Sequence, residues 1–364
     1  MDDLLERVLN VTIALQQIPS PTFNESRRAA FVLKQFQHEG LSDVFVDPIG
    51  NVYARLPGTG TRLPVVVSAH LDTVFPENVD LKIKRDFDKI AGPGIGDNSV
   101  GVAGLFGLLW ALRQRQIRLP GDLWLIANVG EEGLGDLCGI IAVVDRFGEG
   151  ISAYIVLEGM ALGQIYHRGL GVQRYRVTVQ TAGGHSWVDY GRPSAVHELA
   201  QLINRLTAMP LPAQPRTTLN VGVIGGGTTI NTIAAEAYLE LDLRSEESQV
   251  LANLVGQVET LVAASNRFDV KVKAEVIGRR PAGEISSDHP LVQLAADCLR
   301  SQGIQACLNI GSTDANIALS RGLPAVCVGL TTGFGAHTLG EYVNIQPLSQ
   351  GIEQIVTLVQ KIFE

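Results

Sequence analysis

Charge is scarce in this chain: Asp, Glu, Lys and Arg make up only 18% of its 364 residues. What charge there is leans acidic, with a formal net charge of −8 and no cluster of Lys and Arg. Nucleic acid is therefore a poor partner, because neutralising phosphates needs a basic face. Cysteine is scarcer still. Cys138, Cys298, Cys307 and Cys327 lie far apart and form no CxxC pair. That argues against a disulfide framework or a Cys-type zinc site, and suits reduced thiols in the cytoplasm. The start, Met1 to Arg7, has no basic segment followed by an apolar stretch, so no signal peptide is expected. Apolar runs such as Val65-Val66-Val67 are too short to span a bilayer, and no membrane partner is expected. Internal repeats and low-complexity tracts are missing too.

What is plentiful is apolar surface, at 46% of the residues. Such a composition buries large cores and argues against disorder. The length exceeds what one core usually serves, so two domains are expected. In the first part of the chain, helical segments with periodic apolar faces (Leu4, Val8, Val11, Leu15; then Ala29, Val32, Leu33, Phe36) precede β-rich runs. Val65 to Ala69 is apolar but for the small Ser68, as a strand covered on both faces should be. Leu123 to Val129 and Tyr154 to Leu157 read the same way, around a glycine-rich helix from about Ser99 to Gln114. Strands alternating with helices predict an α/β layered domain.

The pattern changes near Gly169. Gln173 to Thr181 alternates; a helix, two strands, another helix and a last strand follow, ending near Ile277. That order, β-α-β-β-α-β, is the split ferredoxin-like signature. The α/β rhythm resumes after Arg280. The expected boundaries are 1–169 and 280–364 for one α/β domain, interrupted by a small α+β domain at 170–279.

Several polar residues stand where buried strands should end, the usual place for ligands in open α/β sheets. His70 and Asp72 follow the run 64–69, and their spacing lets the carboxylate orient the imidazole. Asp97 sits in Gly92-Pro93-Gly94-Ile95-Gly96-Asp97-Asn98, just before a helix. That segment lacks the GxGxxG spacing or GKS/GKT ending of a phosphate loop. Taken alone it reads as a helix cap, although a carboxylate on a tight glycine loop can also bridge two metals. Glu131-Glu132 follows the strand ending at Val129. One could bind metal while the other acts as general base. Glu158 ends a further apolar strand, and His337 lies in the glycine-rich loop 333–338. Each has an ordinary surface or capping reading. Together His70, Asp97, Glu132, Glu158 and His337 provide N and O donors for two metal sites that share one carboxylate. Imidazole with carboxylate suits zinc, with manganese or cobalt compatible.

This order of motifs resembles the co-catalytic zinc metallopeptidase family that includes peptidase T, aminoacylase, bacterial glutamate carboxypeptidase, acetylornithine deacetylase and succinyl-diaminopimelate desuccinylase. Gly311-Ser312-Thr313-Asp314-Ala315-Asn316 and Gly333 to His337 are most similar to peptidase T-like members. The resemblance implies a three-layer zinc-exopeptidase-like α/β catalytic domain with an inserted ferredoxin-like domain. It implies that His70, Asp97 and Glu158 hold one metal and Asp97, Glu132 and His337 the other, with Asp97 bridging. Asp72 would orient His70, and Glu131 would be the general base. In Gly183-Gly184-His185-Ser186, His185 matches a small-domain histidine that stabilises the oxyanion, often across a dimer. Asn231 and Arg244 match substrate-binding positions, and Asp314 falls in the third substrate-side motif. A homodimer through the inserted domain is implied as well. Peptidase T itself carries Asp where this chain has Glu158, and the longer acid is typical of carboxypeptidase- and deacylase-like members.

The expectation is thus a metal-dependent peptidase that cleaves an amide bond in a short peptide, using water activated by two metal ions and Glu131. An N-acyl-amino-acid deacylase is the alternative with the same residues. A non-catalytic metal-scaffold binding protein is the alternative from another class, and the presence of Glu131 argues against it. The remaining histidines, His38, His167, His197 and His289, match no motif and read as structural or surface residues.

Overall fold

The computed structural model describes residues 2–364. Backbone packing divides the chain into two compact units, one of residues 1–169 with 283–364 and one of 170–282.

The first unit is built on a nine-stranded mixed sheet. Its centre is four parallel strands in the order Leu123–Asn128, Val65–His70, Ala153–Glu158 and Ala325–Gly329. Antiparallel strands extend it on both sides: Ser42–Val46 and Val52–Leu56 on one, Gln164–Gly169 and Gly283–Glu284 on the other. All six residues of Val65–His70 are buried. Successive side chains of a strand point to opposite faces, so both faces are covered and the unit has three layers. That is the α/β layering expected from the apolar runs.

The helix Val100–Gln114 explains its own composition. It packs on the central strands and against the helices Asp2–Gln16 and Leu348–Ile362. Residues 100–112 are all buried, so no polar face is needed. A Cβ on Gly107 would lie 2.5 Å from Ile352 Cδ1 and 3.0 Å from Val8 Cγ2. The glycine is what lets three helices approach so closely. With the turn before it, Ile95–Gln114 is also long and apolar enough to cross a bilayer, but 94% of that window is buried inside the protein.

A second, four-stranded sheet of very short strands was not foreseen. It runs Gly333–Phe334, Tyr342–Asn344, Lys89–Ala91, Lys84–Arg85. Two- and three-residue strands carry no readable alternation. This small sheet positions the candidate site, because it sets the 92–97 loop beside the hairpin that carries His337.

The second unit is a four-stranded antiparallel sheet in the order Thr217–Gly226, Glu236–Ser245, Gly171–Thr181, Val270–Arg280. The helices Ala195–Thr207 and Ser248–Ala264 pack on it. The strand Glu236–Ser245 alternates strictly between buried and less buried positions, as a sheet covered on one face should. The chain order is the ferredoxin-like one read from the sequence.

Candidate metal centre

The parallel strands end in polar residues on one side of the first unit's sheet. His70 closes its strand and is 1% exposed. Its Nδ1 lies 3.1 Å from the carbonyl oxygen of Asp72. A carbonyl only accepts, so Nδ1 carries a proton, and with a cation bound the neutral ring would offer the lone pair of Nε2. Nε2 is 3.1 Å from Asp97 Oδ1 and 3.9 Å from Glu158 Oε2. Orientation of His70 thus comes through the backbone of Asp72, with its Oδ1 farther away at 3.5 Å. The Asp72 carboxylate has a different principal use. It accepts from the amides of Glu131 at 3.0 Å and Glu132 at 2.8 Å, and from the Thr22 hydroxyl at 2.9 Å. It therefore fixes the turn that bears the two glutamates.

Asp97 is not a helix cap. It lies in a π-helical turn, Ile95–Ser99, with non-helical torsions of its own, and no side chain caps the helix that follows. Gly94, at φ 72°, starts that turn in a conformation that favours glycine. The peptide bond between Asp97 and Asn98 is cis. The Asn98 side chain donates to the carbonyl of Leu157 at 2.8 Å, tying the turn to the neighbouring strand end. Oδ1 of Asp97 faces His70 and Oδ2 faces His337 Nε2 at 3.1 Å. His337 Nε2 is also 3.1 Å from Glu132 Oε1.

Two triads of donor atoms result, His70–Asp97–Glu158 and Asp97–Glu132–His337, each close enough to hold one ion. They share Asp97, one oxygen to each side. His70, Glu131 and Glu132 form a third close group. The electrostatics are those of a site short of positive charge. Burial opposes the His70 cation, yet hydrogen bonds to Asp72 and Asp97 raise its pKa well above 6.5. Hydrogen bonds to Asp97 and Glu132 push His337 up to about 10. Burial disfavours charge on Asp97, but His337 and His70 hold it below the ordinary carboxylate range. Burial, with Asp97, Glu131 and Asp314 nearby, pushes Glu158 well up despite His70. Converging carboxylates that hold imidazoles protonated are a donor set suited to divalent cations, which supply the missing charge. The residues present fit such ions.

Sequence reasoning missed the residues that hold this cluster. Thr22 touches Asp72, and Glu25 Oε1 accepts from the amide of Gly130 at 3.2 Å. Glu341, fully buried, accepts from three amides of the 94–97 loop. Burial pushes its carboxyl up to about 7 against those hydrogen bonds. Arg28 is 1% exposed; its Nε donates to the carbonyl of Ile18 and Nη1 to that of Leu71, both at 2.9 Å. Burial lowers its pKa to about 10 while the charges of Asp72 and Glu341 raise it. Nothing local marks these residues, since each looks like an ordinary loop or helix polar group. Arg28→Ala leaves the buried carbonyl of Leu71 and the partly buried one of Ile18 without their donor and takes a positive charge from the neighbourhood of two buried acids, Asp72 and Glu341. The expected loss is about 3–5 kcal/mol in urea-induced unfolding. A loss below about 1 kcal/mol, the range of an exposed pair, would show that Arg28 is not the counter-charge.

Asp314, expected on the substrate side, is 0% exposed, and Asn128 donates to its Oδ2 at 2.7 Å. His167 is buried with Nδ1 2.7 Å from the carbonyl of Ile285, and His289 accepts from the amide of Leu291 to start a helix. His38 and His197 are exposed.

His185, Asn231 and Arg244 belong to the second unit. His185 pairs with Thr232 in a short two-stranded antiparallel sheet, and the amide of Ser186 donates to the Asn231 carbonyl at 3.0 Å, so those two are neighbours. The exposed ring of His185 accepts at Nδ1 from the amides of Trp187 and Val188, at 3.2 and 3.3 Å. The neutral ring is therefore protonated on Nε2, a donor. Arg244 lies on the strand Glu236–Ser245, its Nε bound to Asp242 Oδ2 at 2.7 Å.

A parallel-centred α/β sheet whose strand ends bring together two imidazole–carboxylate triads has the layout of a metal-dependent hydrolase. The chain belongs to peptidase family M20/M25/M40, whose model matches residues 66–361. It is thus a hydrolase of peptide or other linear amide bonds. It is 24% identical over 374 residues to the Bacillus subtilis (strain 168) protein YqjE, covering 98% of both. A Staphylococcus aureus (subsp. aureus Mu50) tripeptidase structure matches with a TM-score of 0.83 at 23% identity, covering 98% of each chain. The aminopeptidase PepT structure from Bacillus cereus (ATCC 10987) matches with a TM-score of 0.80 at 23% identity, covering 99% of each. These likenesses agree with the peptidase T-like resemblance.

Proposed function

We propose that this protein cleaves an amide bond in a short peptide, with two divalent metal ions held by His70, Asp97, Glu158, Glu132 and His337 and with Glu131 as general base. The observation that carries this reading is Asp97, which gives one oxygen to each triad. Two such cations, zinc by donor type, supply Lewis acidity toward a carbonyl and lower the pKa of water toward neutrality.

The chain's own groups do the rest. Glu131 is 6% exposed, and its carboxylate lies in one close group with His70 and Glu132. It takes a proton from the attacking water; the water oxygen bonds to the carbonyl carbon, the C–N bond breaks, and Glu131 returns the proton to the amine. Asp72 holds Glu131 and Glu132 through their amides, so base and ligand stay on their separate courses. His185, protonated on Nε2, donates to the oxyanion, and Asn231 and Arg244 bind the substrate's polar end. The second unit serves as lid and as the dimer interface. The exposed Val223 and Ile224 of strand Thr217–Gly226 support the latter, since a sheet edge with apolar side chains invites pairing.

Glu158, the longer acid, favours N-acyl amino acids as the second substrate class. Incubation with unblocked di- and tripeptides and with N-acyl amino acids distinguishes the two. Free amino acids from the peptides alone are expected, activity is lost on chelation, and zinc restores it. Turnover confined to N-acyl amino acids would reject the peptidase reading, and activity indifferent to chelation would reject the metals. Sedimentation equilibrium of the same preparation should give the mass of a dimer.

A further inference from the structure

Glu341 stands out among the polar groups that the proposed chemistry leaves unused. It is fully buried, and a buried carboxylate is costly unless its oxygens are well occupied. Here they are occupied by one short loop. Oε1 accepts from the amides of Gly96 at 2.6 Å and Asp97 at 2.8 Å, and Oε2 from that of Gly94 at 3.1 Å. Its own carbonyl accepts from the amide of Gly92 at 2.8 Å.

The residue belongs to the other side of the metal centre. It follows His337 in the hairpin between Gly333–Phe334 and Tyr342–Asn344, and its amide donates to the Thr338 carbonyl at 3.2 Å. The next residue, Tyr342, pairs with Ala91, at the start of the glycine loop. One side chain thus bonds the backbone that carries Asp97 to the backbone that carries His337. These two side chains face each other at 3.1 Å.

We propose that Glu341 is a positioning residue that sets the spacing between Asp97 and His337 by clamping the 94–97 loop to the His337 hairpin. A carboxylate suits this task because two acceptor oxygens meet three converging N–H donors. Glutamine has the same shape but turns an NH2 group toward at least one amide, and the loop must shift to relieve it. Groups behind a metal ligand typically control affinity by about 10–100-fold.

The inference rests on the metal reading, and the full-length chain tests both. Zinc affinity is measured by competition with a chromogenic chelator, and the ligand field by the visible spectrum after cobalt(II) loading. In Glu341→Gln, zinc affinity at one or both sites should fall about 10–100-fold, with an altered cobalt spectrum. If zinc binds equally tightly and the spectrum superimposes, the inference is overturned, even where melting temperature falls. A wild-type chain that takes up no metal overturns the metal reading and this inference with it. Should the variant not fold, hydrogen exchange on wild-type protein decides. Amides of Gly94, Gly96 and Asp97 protected in the metal-free chain support the clamp, and rapid exchange there overturns it.

Discussion

Glu131→Gln keeps two metals per chain and lowers kcat/KM by about 10²–10⁴-fold, the contribution of a positioned general base. The substitution is isosteric, and the contact between the Glu131 amide and Asp72 Oδ1 is a backbone one that any side chain preserves. The turn therefore stays in place while the proton acceptor is lost. Metal content by elemental analysis and steady-state kinetics on one preparation check both halves. A variant that retains activity within about threefold would transfer the base to another group. A variant that loses metal would make Glu131 a ligand, an assignment its closeness to His70 and Glu132 keeps open to test.

The second large effect is expected at Asp97. Asp97→Ala removes one donor from each triad, so neither site retains three. Both imidazoles also lose a partner at 3.1 Å. Metal content should fall from two ions per chain toward none after gel filtration, and activity with it. His337→Ala removes a donor from one triad only and should keep the ion held by His70, Asp97 and Glu158. If Asp97→Ala still carries two tightly held ions, the shared-carboxylate reading fails.

How the site could be read from the chain depends on the kind of residue. His70 and Glu158 were visible because each closes an apolar strand at its carboxyl end, and Glu131 and Glu132 because they follow one within a few residues. Asp97 was legible as a polar residue on a glycine loop, yet its local signal pointed to helix capping. Its torsions and its two histidine partners, distant in sequence, gave it another use. His337 had only its company to recommend it. Asp314 was read through a motif and proved to be a fully buried partner of Asn128. Glu341, Thr22, Glu25 and Arg28 left no trace, because their partners are backbone groups and acids of other segments. Hydrogen bonding to a distant loop has no period and no spacing.

The layered α/β domain, the ferredoxin-like insertion and the strand-end donors were determined by sequence alone. Burial on two faces, alternation on one, and polar residues at strand ends are local patterns that backbone geometry imposes. Tertiary structure alone decided how the small sheet sets the 92–97 loop beside the His337 hairpin, and which buried groups hold them there. Those facts depend on contacts between distant segments, such as Gly94 and Glu341, 247 residues apart, and such contacts exist only once the chain has folded.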